Sequence, residues 1–110
     1  MNKLLKKDLE INDFNGNPIK VNVAIRSYRG KATALQLDEP DGPYGTVSLF
    51  AANHSEQLPP NQCFVKDYSE NEHMIPQLVA AGIINLVEDA HPSGYPLYEI
   101  VDFDKATDFE

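Results

Sequence analysis

The sequence predicts an α+β domain: a curved antiparallel sheet of five to six strands with one short helix packed on a face. Three observations predict it. Ile19, Val21, Val23 and Ile25 alternate with Lys20, Asn22, Ala24 and Arg26, the period of a strand with one apolar face. Further short runs of β-formers recur between turns, and strands joined by short turns pair antiparallel. The stretch Gln62–Gly82 carries the only good helix, inserted late in the order, which makes the class α+β.

At 110 residues the chain is read as a single domain, residues 1–110. Residues 1–14 are expected to fray and residues 104–110 to form an acidic tail. In the first segment Leu4, Leu5, Leu9 and Ile11 fit neither period, so a frayed helical turn and an edge strand both stay open. Asn15-Gly16-Asn17-Pro18 reads as a turn. After the strand through Ile25, Tyr28-Arg29-Gly30-Lys31 reads as a hairpin connection with Gly30 at positive φ. A second strand runs through Thr33, Leu35 and Leu37. Glu39-Pro40-Asp41-Gly42-Pro43 reads as a rigid loop whose prolines stay out of a ladder. The third strand covers about Gly45–Ala51.

Asn53–Asn61, with Pro59-Pro60, is a loop, and Gln62–Asp67 is a fourth strand. Ser69-Glu70-Asn71-Glu72 fits a capping box, Ser69 accepting from the N–H of Glu72. Pro76 suits the first turn of a helix. Gly82 suits a left-handed stop, with Leu78 and Ile83 spaced for the accompanying contact. Ile83–Val87 and Pro96–Phe103 complete the strands, the last apolar on both faces and therefore central.

Net charge is −8 and unevenly spread: residues 1–31 hold seven Lys/Arg against three Asp/Glu, and residues 32–110 hold two against fourteen. Direct binding to nucleic-acid phosphates needs clustered cations, so it is not expected. Docking on a basic surface is. No apolar run approaches the ~20 residues that span a bilayer. With a single Cys63 and no signal-peptide pattern at the start, the chain reads as cytoplasmic.

His54, Cys63 and His73, with Glu70 or Glu72 near in sequence, are a candidate zinc set. Their spacing matches no zinc-finger pattern. The sequence requires no cofactor, and structural zinc is the one it offers. Tyr28, Tyr44 and Tyr95 sit beside turns, and tyrosine beside acids suits a protein-binding surface.

The segment CFVKDYSENEHMIPQLVAAGIINLVEDAHPSGY resembles a group of short bacterial proteins found in phages and conjugative elements. The matching residues are Lys66 through Glu72, Ala81 to Ile83, and Ser93-Gly94. His73 and Pro76 depart from that pattern. The resemblance carries no catalytic residues. It implies a mobile-element setting, in which small acidic proteins such as the anti-CRISPR class block defence nucleases. The expected function is a non-enzymatic inhibitor that binds a basic, nucleic-acid-handling surface of a host defence protein, a CRISPR nuclease first among them. Its contacts would come from Asp67, Glu70 and Asn71, from Asp38, Glu39 and Asp41, and from Asp102 and Asp104, with Asp108 and Glu110 adding a tail contact. The alternatives are a small zinc-dependent hydrolase on His54, Cys63 and His73, and an accessory module of a conjugation or replication system.

Overall fold

The computed structural model describes residues 2–28, 32–51 and 53–108, and at Glu70 the backbone alone. The alternation through Ile25 forms β2, Pro18–Tyr28, with Val21, Val23 and Ile25 fully buried. Its antiparallel neighbours are β1, Lys3–Asn12, and β3, Ala32–Glu39. The hairpin connection expected around Gly30 lies outside the described residues.

The opening segment is a strand, not a frayed helix, and among the described residues its outer side is paired only at Lys3 and Leu4. β1 lies inside a five-stranded sheet ordered β4-β3-β2-β1-β9, where β4 is Gly42–Thr46 and β9 is Thr107–Asp108. Its pairing with β2 shifts register between Leu4 and Lys6 and again between Lys6 and Leu9. Asp8 takes a left-handed φ of 55° there, and its N–H donates to Asn22 Oδ1 at 3.0 Å. These irregularities insert residues into the strand and break its period.

The proline loop is tighter than expected. Only Pro40 and Asp41 turn, and Gly42 and Pro43 already belong to β4. Proline is tolerated there because β4 is an edge strand and its outer side needs no donor. The acidic tail is also tied down. A 3-10 turn over Phe103–Lys105 leads into β9, which pairs with β1 through Lys3↔Asp108 and Leu4↔Thr107.

The single sheet expected from the sequence is two. The second has four antiparallel strands ordered β5-β6-β8-β7. Here β5 is Ser48–Leu49, β6 Gln62–Val65, β7 Ile84–Glu88 and β8 Leu97–Ile100. Val47 joins the sheets. Its N–H donates to Leu35 O at 2.8 Å, and its own carbonyl accepts from Lys66 N at 2.9 Å. The chain thus leaves β3 and takes up β6 within one residue. As expected, β8 is interior, with Leu97, Tyr98 and Ile100 buried.

One short helix, α1 over Ile75–Ala80, has Pro76 in its first turn. Gly82 has φ +76°. Ile83 N–H donates to Leu78 O and Gly82 N–H to Val79 O, each at 3.0 Å, the paired stop that a left-handed glycine allows. Met74, Ile75 and Leu78 enter the same core as Ile25, Leu37, Val65 and Ile100. Each such side chain contributes about 1.5–3 kcal/mol on burial. With nine strands among the described residues and one helix of six residues, the fold is largely β. No helix among them is long and apolar enough to cross a membrane.

Candidate functional site

The expected capping box does not form. Tyr68 occupies the cap position of a 3-10 turn over Ser69–Asn71 and makes no side-chain capping bond. Glu72 N–H donates to the backbone carbonyl of Ser69 at 3.2 Å, and Ser69 has a φ of 59°. Asn71, expected as a partner contact, is 1 % exposed. Its Nδ2 donates to Thr46 O at 2.8 Å, pinning the turn to β4. That amide is part of the fold and is not offered to a partner.

The three metal candidates lie in different settings. Cys63 and Phe64 are neighbours on β6, so their side chains leave opposite faces. The Phe64 ring meets His91 at 4.7 Å and His54 at 6.5 Å between centroids. Cys63 is turned into the core on the other face, and desolvation pushes its thiol up to about 12. A thiol so placed is a small hydrophobe, not a nucleophile at neutral pH. His73 stands before α1, with Nε2 3.0 Å from Tyr44 Oη. The structure therefore does not bring His54, Cys63 and His73 together. Among the described residues, no group of three His, Cys, Asp or Glu side chains is placed to hold a metal ion.

The acids are spread over several elements. Asp38 is half-buried and accepts from Arg26 Nη2 at 3.1 Å and Gln36 Nε2 at 2.9 Å. Glu39 and Asp41 are exposed beside the β3–β4 turn, and Asp67, Asp102 and Asp104 are exposed elsewhere. Asp102 faces Lys105 at 3.8 Å and Asp108 faces Lys3 at the same distance. Such exposed pairs are worth little. The basic start and the acidic tail thus meet on adjacent strands. Glu70's side chain and Glu110 lie outside the described residues.

Sequence reasoning missed a hollow beside α1. It measures about 470 Å³ and is lined by Phe14, Tyr44, Gly45, Ser69, Asn71, His73 and Met74, within the ~300–1,000 Å³ usual for ligand sites. The Tyr44–His73 hydrogen bond holds the two rings edge to face, 6.3 Å apart at 81°. Phe14 lies 6.0 Å from His73 at 48°. Gly45 and the Met74 methyl are in contact there, a Cβ on Gly45 standing at an ordinary 3.4 Å from that methyl. Tyr44's phenol is raised, first by desolvation and then by the carboxylates of Asp13 and Glu39. The site is therefore an aromatic-walled hollow in an anionic field. The sequence showed Tyr44 beside a turn and His73 before the helix, with nothing to bring them together.

Comparison of the chain with protein-family models, curated proteins and solved structures finds no match.

Proposed function

We propose that the chain is a non-catalytic binding protein whose acidic surface docks on a basic, nucleic-acid-handling surface of a partner protein. In its narrower form the partner is a host defence protein, a CRISPR nuclease first among them. The chain would then be a mobile-element inhibitor that blocks DNA loading in the host cytoplasm. The narrowing rests on the resemblance around Lys66–Glu72. The broader reading is carried by one observation: on a chain of net charge −8, the carboxylates of Glu39, Asp41, Asp67 and Asp104 are exposed and enter no ion pair among the described residues. Such groups compete for the Lys and Arg that hold nucleic acid.

The test is DNA loading by a panel of purified CRISPR nucleases at two salt concentrations. Loading is expected to fall as the protein is added, and to recover at higher salt because exposed charges are screened. The protein alone is expected to show no affinity for DNA. Unimpaired loading across the panel would reject the narrower form.

A further inference from the structure

Phe14 is 82 % exposed, more than any other large apolar side chain among the described residues. Its segment is nonetheless well held. Asp13 N–H donates to Asn17 O at 2.8 Å, and Gly16 N–H donates to Asp13 O at 2.9 Å. Asp13 Oδ1 accepts from the N–H groups of Asn15 and Asn17 at 2.9 and 2.8 Å. Gln77 then ties Asn12 to α1. The backbone that carries this ring is thus held at the mouth of the hollow, which lowers the ordering cost left for a ligand.

We propose that this hollow seats an arginine side chain from the partner's basic surface, its guanidinium lying among the Phe14, Tyr44 and His73 rings. The proposal rests on the docking reading above and names a contact at its centre. Charge complementarity selects the occupant. Asp13 flanks Phe14, and Glu39 lies on the strand next to that of Tyr44. These carboxylates disfavour an anion, and a purely apolar side chain would gain nothing from them. The hydroxyl of Tyr44 and Nε2 of His73 are engaged with each other, so the hollow offers ring surface. A guanidinium is planar, weakly hydrated and stacks on aromatic faces, whereas an ammonium is compact and strongly hydrated.

The experiment titrates acetyl-Gly-Arg-Gly-amide into isotope-labelled protein and follows backbone amide shifts. The controls are the same peptide with citrulline, a neutral isostere, and with leucine. The arginine peptide is expected to shift the amides of Phe14, Tyr44, Gly45, His73 and Met74. Citrulline should bind about three- to tenfold more weakly, the scale of a cation–π contact. Phe14→Ala removes an exposed ring, so the fold should survive while the shifts vanish. Glu39→Gln should weaken the arginine peptide and leave the citrulline peptide unchanged. Equal binding of arginine and citrulline, shifts confined to other residues, or unchanged binding by Phe14→Ala would overturn the proposal. If DNA loading is blocked equally by wild type and Phe14→Ala, the arginine seat fails while docking stands. If the peptide seats as expected but no nuclease is inhibited, the CRISPR reading fails alone.

Discussion

Gln77 exchanges two hydrogen bonds with the backbone of Asn12: the Asn12 N–H donates to Oε1 at 2.7 Å, and Nε2 donates to the Asn12 carbonyl at 3.0 Å. The same Nε2 donates to His73 O at 2.8 Å. One amide therefore fastens the end of β1 to α1 and sets Phe14 over His73. Gln77→Ala is expected to cost about 1–2 kcal/mol, the net worth of such bonds where water can replace them. Gln77→Glu keeps the size and the acceptor but faces two carbonyls with a carboxylate, so it should cost at least as much. Urea midpoints measure both, and faster amide exchange at Asn12 would locate the effect.

Two turn residues have opposite expectations despite similar backbone angles. Gly82→Ala places a Cβ at φ +76° within the stop of α1 and should cost about 1–2 kcal/mol. Ser69→Ala should change stability by less than about 0.5 kcal/mol. Ser69 already accepts a φ of 59° and makes no capping bond. A loss of about 1 kcal/mol on Ser69→Ala would restore the cap as a solution-state feature.

Asn71 is the polar side chain on which the segment before α1 hangs. Asn71→Ala removes a buried amide and its part-buried bond to Thr46 O, so about 0.5–1.5 kcal/mol should be lost. Asn71→Asp puts a carboxylate against that carbonyl and should be worse. If both variants unfold at the wild-type urea concentration, the turn is not anchored by this bond.

What was legible in the sequence followed regular periods. The strand through Val21, Val23 and Ile25 was plain, as was the helix entered at Pro76 and left at Gly82. β1 was not, because its irregular pairing on either side of Lys6 displaces Leu4 and Leu9 from any constant period. The division into two sheets was equally hidden. Strand periodicity gives the faces of a strand but not its partners, and Val47 changes partner within one residue. The hollow was illegible for a third reason. Phe14, Tyr44 and His73 come from segments far apart in the chain, and a tertiary bond from Gln77 to Asn12 brings the turn of Phe14 to α1. His73 read alone suggested a metal ligand, and Asn71 read alone suggested a surface contact.

Cys63 makes stability fall in alkali. Its thiol is 2 % exposed, and desolvation lifts it from an ordinary 9.0 to about 12. Above 9.0 the unfolded chain loses this proton while the folded protein keeps it. The folded state then binds more protons, and stability drops as pH rises, by up to about 1.4 kcal/mol per pH unit until the folded value is reached. Below 9.0 both states are protonated and no dependence arises from this group. Tyr28, Tyr44 and Tyr98 are also raised from 10.0, chiefly by desolvation, and act in the same direction. Cys63→Ala separates the thiol from the tyrosines, which remain in both proteins. Wild type should exceed the variant by a constant margin up to about pH 9, and the margin should then shrink and reverse as pH rises. The measurement is urea unfolding of both proteins across that range. A margin that stays constant through pH ~10.5 would mean that the thiol ionises without leaving the core. Slow alkylation of the native protein, becoming rapid in urea, provides the independent check on its burial.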